Sequence, residues 1–236
     1  MKEIKKKDVF ILSFVLAFCS FSYELIIINT LRSIAQSQNG VIWCSIAIFV
    51  YLAGLGVGAF FEDRGKNGLV NRAKGLLSVE LLISLIGSLS IILMLIFQIV
   101  AIVYDVNADS GNDIGVLEVF YKDVPYLSFI SFCLIITFII GFLSGFEIPI
   151  LSKLLKEDNT YSILAYNSFG TLLASIVIPY VFIPEFGVTY SSVIVASINF
   201  LACFFLIIKM RQFNILHILA VILISPIIWL GFSYSE

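Results

Sequence analysis

This sequence predicts an all-α fold, a polytopic integral membrane bundle of seven transmembrane helices forming a single domain over residues 1–236. Three observations carry the prediction. Hydrophobic residues make up 60% of the chain and charged residues 13%, with a mean hydropathy of +1.07, whereas soluble domains are nearer half apolar and a quarter charged. Several apolar runs approach or exceed the ~20 residues needed to cross a bilayer. The charges between those runs are gathered into short polar links.

The spans are expected at about 8–29, 41–61, 72–104, 125–151, 160–183, 189–208 and 215–232. The first follows MKEIKKK, a basic-then-apolar start that also resembles a signal peptide. Its apolar run is too long for a signal h-region, so a first membrane helix is expected, with cleavage after Ala35 as the alternative. Pro125 opens the fourth span in a position that suits proline. Pro179 is expected to break the fifth span and Pro184 to close it, with PEFGV as a very short turn. Pro226 is a kink candidate in the seventh.

The basic residues decide sidedness. The N-terminus and the loops after the second, fourth and sixth spans hold twelve Lys and Arg, among them Arg64, Lys66, Lys153 and Arg211; the opposite face holds two, Arg32 and Lys122. Basic residues stay on the cytoplasmic side. A multi-pass protein of the bacterial cytoplasmic (inner) membrane is therefore expected, with its N-terminus inside and, after seven crossings, its C-terminus outside.

Few charges fall within spans, and each marks a candidate site. Glu24, beside Tyr23, lies in the outer half of span 1. It is either a cation or proton site or an interfacial carboxylate paired with a donor. Glu80 lies early in span 3 and Glu147 late in span 4, both toward the cytoplasm. In GFLSGFEIPILSK, Gly141 and Gly145 form a face for close packing, and Pro149 leaves one backbone carbonyl without its donor. A small face, an acid and a proline together build a polar pocket. Tyr166 and Asn167 lie at similar depth. The expected ligand-binding set is Glu80, Glu147, Asn167, Tyr166, Glu24 and Tyr23, against the alternative that Glu80 and Glu147 snorkel to a nearby interface.

Other patterns carry less. Gly54, Gly56 and Gly58 spell GxGxG, but no βαβ unit fits a bilayer span, so helix packing is expected. Cys19, Cys44, Cys133 and Cys203 sit singly in apolar runs, and neither a metal site nor a cofactor is expected. DVNADSGND begins like a calcium loop but has Ser110 and Val116 where Gly and Glu are needed. His217 has no partner for a triad or a metal. Gly58–Lys66, GAFFEDRGK, resembles the cytoplasmic gating loop of major-facilitator transporters, with Asp63 and Arg64 at its centre; a plain positive-inside turn is the alternative.

Four segments, FCSFSYELIIINTL, YLAGLGVGAFFEDR, GFLSGFEIPILSKLL and YSILAYNSFGTLLASIVIPYVFIPEFGV, in their order and spacing resemble the membrane domain of bacterial membrane-bound spermidine synthases. The resemblance covers residues 10–210; similarity to half of a major-facilitator transporter is weaker. In that family the membrane helices precede a Rossmann-like aminopropyltransferase domain, of which this sequence shows nothing. No catalytic residue is carried over. Without that domain, aminopropyl transfer by this chain alone is not expected; the chain is either a stand-alone relative, which an external C-terminus favours, or a piece cut from a longer enzyme. A transporter-like or ligand-binding protein for a small cationic, polyamine-like molecule is expected. The alternative is a non-catalytic anchor or assembly subunit for a separately encoded enzyme or membrane complex. The expected partners are the lipid bilayer, the cationic small molecule and a membrane or soluble protein, with no nucleic acid.

Overall fold

The computed structural model describes residues 6–34, 40–63, 74–90, 93, 96, 117–155 and 160–210, and all regular structure among them is helical. The elements are α1 (Lys6–Ile34), α2 (Gly40–Asp63), α3 (74–90), α4 (Leu117–Gly145), α5 (Glu147–Leu154), α6 (Thr160–Val177), a π-helical turn (Ile178–Phe182) and α7 (Ile183–Met210).

α1 is the hub. It packs against α2, α4, α5, α6, the π-helical turn and α7. Two-thirds of its most apolar window is buried, against 22% for α2. The reason lies in its small residues. Ser13, Ala17 and Ser20 recur at one-turn spacing, so a neighbouring backbone can approach closely. Gly170 of α6 uses that face. A Cβ added there would meet the Phe14 carbonyl oxygen, with Ala17 Cβ at 3.2 Å. Ser13 Oγ donates across the same contact to the Ile163 carbonyl at 3.2 Å.

α2 and α4 form a second close pair through reciprocal glycines. A Cβ on Gly54 would lie 2.6 Å from the Phe138 carbonyl oxygen, and one on Gly145 would lie 2.9 Å from Gly58 Cα. Gly58 and Gly141 meet the backbone of Phe142 and Tyr51 in the same way. Gly56 points into open space, so the alternating glycines divide into two that pack and one that does not. α4 ends at Gly145 because Pro149 has no N–H to return to that carbonyl. Phe146 N instead donates to Leu143 O at 3.0 Å, and α5 starts at Glu147.

Among the described residues the expected count of seven crossings is not supported. Among them four helical stretches are long and apolar enough to cross a membrane: Lys6–Arg32, Val41–Glu62, Ser128–Leu154 and Thr160–Ile208. The fourth has 49 residues, which as a straight helix would reach about 74 Å at ~1.5 Å per residue. It folds back instead. Ile163, near its start, shares an apolar cluster with Leu206 and Ile207, near its end, while Ala174 and Ile178 share another with Val195 and Ala196. The reversal is at Gly187, with φ +74° and ψ 173°. Pro179 does not break the helix but sits in the π-helical turn, and Pro184 opens α7 rather than closing α6. The expected seventh span with His217 and Pro226, the 105–113 loop and Arg64 lie outside the described residues.

At φ +74° with extended ψ a side chain is strained, by about 1–3 kcal/mol. Gly187→Ala is therefore expected to lower the melting temperature in detergent by several degrees. Gly56→Ala, in a helix with free space around it, is expected to raise stability by about 0.5–1 kcal/mol. Parallel thermal melts check both.

The apolar cluster that joins Val9 and Leu12 of α1, Leu76 and Leu77 of α3, Ile150 and Leu151 of α5, Ile163 of α6 and Leu206 of α7 defines one end of the bundle. Lys6, Lys7, Lys74 and Lys153 flank these residues in sequence. Lys153 Nζ donates to the Glu62 carbonyl at 2.9 Å, capping the last turn of α2. The second apolar cluster, around Ile26, Ile27, Leu31 and Ile130, fills the other end.

A candidate cation site between the helices

Hydroxyl groups in apolar helices usually satisfy themselves by donating to a carbonyl one turn back. Ser22, Thr30, Ser88, Thr137 and Ser197 do so, to Phe18, Ile26, Ser84, Cys133 and Val193. Against that background the exceptions matter. Ser20 Oγ donates across to Glu147 Oε1 at 2.6 Å. Ser84 Oγ and Ser144 Oγ are buried with no hydrogen-bond partner, as are Tyr23 Oη, both Glu80 oxygens, Glu24 Oε2 and Asn199 Nδ2. The unpartnered polar atoms mark where this core is not a sealed one.

Glu147 is positioned by the α4–α5 break. It is the first residue of α5, where the unpaired N–H groups of a helix start favour negative charge. It is 2% exposed and opens onto a cleft of about 390 Å³, within the range of small-ligand sites. Asn167, Thr171 and Ser175 recur every fourth residue along α6 and form a polar stripe on the cleft, since residues four apart share a helix face. Ser20 of α1 and Ser144 of α4 complete the polar lining, while Phe21, Leu52, Leu55 and Leu172 supply apolar wall. Among the described residues no basic side chain pairs with Glu147 or faces it.

The expected ligand-binding residues distribute unevenly. Glu147 and Asn167 line this cleft. Glu80 is fully buried behind it, within electrostatic reach of Glu147 and facing Asn199. Neither acid snorkels to the surface. Glu24 is 2% exposed and sits one turn along α1 from Ser20, toward the other end; Tyr51 of α2 lies between it and Glu147. Tyr23 faces α3, its ring where a Cβ on Gly87 would be, with Ser84 beside it. Tyr166 is outside the cleft, stacked on Phe10 at 5.1 Å between ring centroids. Asp63 ends α2. Sequence reasoning missed Ser20, Tyr51, Ser144, Thr171, Ser175 and Asn199. Only Asn199, a lone amide in an apolar run, carried a signal, the one that singled out the acids.

An enclosed carboxylate with neutral donors around it and apolar walls beyond can hold an ammonium group and the methylenes attached to it. The fold and the site thus define a helical protein with membrane-length apolar helices and a buried carboxylate at the floor of an open cleft. The comparisons narrow this class. The chain is 27% identical over 230 residues to a polyamine aminopropyltransferase of Leptospira interrogans, covering 94% of this chain and 40% of the relative. It is 28% identical over 167 residues to a polyamine aminopropyltransferase of Oceanobacillus iheyensis, covering 68% of this chain and 28% of that protein. The chain therefore spans well under half the length of these curated relatives. No family model matches, and no solved structure matches.

These findings support the spermidine synthase-like resemblance in its broad form. They also correct one expectation: the relatives carry the name of an enzyme, which points against reading this chain as not an enzyme.

Proposed function

We propose that this chain supplies the membrane-embedded part of a polyamine aminopropyltransferase system and that its cleft binds a polyamine-like cation. The observation that carries the reading is Glu147, buried at the cleft and held by Ser20, with no basic partner among the described residues. A buried carboxylate costs about 2.5–3.5 kcal/mol on insertion scales, and an arriving ammonium offsets that cost. The apolar walls suit the methylenes between the amines of a polyamine, and the Asn167–Ser175 stripe suits a second amine. Binding at this depth fits either presentation of the cation to an enzyme or its passage across the membrane. We place the basic end of the bundle on the cytoplasmic face of a bacterial inner membrane, on the positive-inside pattern.

Spermidine binding to the protein in lipid nanodiscs tests the reading. Glu147→Gln keeps the shape and removes the charge, and is expected to weaken binding at least tenfold, or about 1.4 kcal/mol. 1,4-Diaminobutane should compete with spermidine, and 1,4-butanediol should not. Equal binding by wild type and variant, or no binding by wild type, counts against the site.

A further inference from the structure

Glu80 has no role in lining the cleft, yet it is 0% exposed and neither of its oxygens has a hydrogen-bond partner. The groups that face it are Cys19 and Tyr23 of α1, Ser84 on its own helix, Glu147 of α5, and Asn199 and Cys203 of α7. Around Glu147 stand Ser20 of α1, Tyr51 of α2 and Ser144 of α4. Among the described residues no cation faces either carboxylate. Two enclosed carboxylates without a counter-charge cannot both be ionised. One neutralising charge is required, and among the described residues the cleft beside Glu147 gives a cation a way in.

On the cleft reading above, we propose that cation binding here is an exchange: the Glu80–Glu147 pair holds one proton when the cleft is empty and releases it when an ammonium group arrives. In the empty protein one carboxyl keeps its O–H bond and the other is anionic, so the pair carries one negative charge. On binding, the O–H bond breaks, the proton leaves to water, and the ammonium pairs with Glu147. Two carboxylates and one cation again sum to one negative charge. No electron moves. The charge summed over the two carboxyls and the ammonium beside Glu147 is therefore the same in both states. Glu80 acts as a positioning residue for charge, not as a contact to the ligand.

Infrared difference spectroscopy and a pH-indicator dye, applied to the protein in nanodiscs with spermidine as the probe, test this. A protonated-carboxyl band is expected in the empty protein at neutral pH, bleached by saturating spermidine, with about one proton released per spermidine bound. In Glu80→Gln the spermidine-induced bleach of the band and the proton release per bound spermidine should both be lost. An empty wild type whose carboxyl band is no larger than that of Glu80→Gln overturns the exchange. Spermidine binding that leaves the band in place, with no proton released, also overturns it and leaves the cleft reading standing. Failure of wild type to bind spermidine overturns both.

Discussion

Gly58→Val is expected to be the most damaging single substitution in the bundle. A Cβ at Gly58 collides with the backbone of Phe142, and backbone cannot swing aside as a flexible side chain can. Relief requires α2 and α4 to separate along the whole Gly54–Gly58 and Gly141–Gly145 face. That surrenders the dispersion contacts on which helix association in lipid depends. Overpacking a core costs about 1–3 kcal/mol where neighbours can adjust. Here about 3 kcal/mol or more is expected, a fall of ~10 °C in melting temperature for a chain of this size. Gly145→Val should match it. The double variant should cost little more than either alone, because the second valine enters a contact already lost. Gly56→Val has open space around its Cβ and should stay within about 1 kcal/mol of wild type. Thermal melts in a mild detergent check the set; a Gly58→Val protein that melts with wild type would show that the helices do not meet there.

Replacing Glu80 and Asn199 together by leucine is expected to have a large effect of the opposite sign. Both side chains are fully buried, and both Glu80 oxygens and the Asn199 amide nitrogen lack partners. A buried polar group that makes no hydrogen bond loses its hydration without recompense, at roughly 1–3 kcal/mol each. Exchanging buried ionic groups for apolar ones of similar volume often stabilises a fold by about 1–4 kcal/mol. The double variant should therefore melt higher by several degrees, while proton release on spermidine binding disappears. Glu80→Leu alone leaves the Asn199 amide stranded and should recover only part of the gain. Natural chains keep such unfavourable groups where activity needs them. A double variant less stable than wild type would show that these groups hold the helices together.

The parts of the fold visible beforehand were those that local composition decides. α1 and α2 form where their apolar runs lie, because a helix is the one open-ended structure that satisfies its own backbone in lipid. The α4–α5 break could be foreseen from Gly145, Glu147 and Pro149 in a row. What depends on distant contacts could not. Gly141 and Gly145 announced a close neighbour, but not that Gly54 and Gly58 would be that neighbour. The bend between α6 and α7 was expected in PEFGV and falls within it, but Pro179 and Pro184 do not play the parts expected of them. A π-helical turn absorbs Pro179, and the reversal falls on Gly187, whose backbone freedom leaves no mark in hydropathy.

The site follows the same rule. Glu147 and Asn167 stood out as polar residues among apolar ones, and they line one cleft. Tyr166 stood out equally but lies across α6, on Phe10. Ser20 and Ser144 could not be told from the serines that bond their own helix, because only the bundle decides which hydroxyls face a carboxylate.

The place of α1 at the centre has a consequence for biogenesis. The carbonyls that Ser13 and Cys19 reach belong to residues 150 and 176 positions downstream. At ~5–20 residues per second a ribosome needs roughly 10–30 s to deliver them. Throughout that interval the hub waits with Ser13, Ser20 and Glu24 uncovered, too polar to drift freely into lipid and too apolar to leave it. Such a segment is held best at the insertion machinery itself, released only when the later helices close around it.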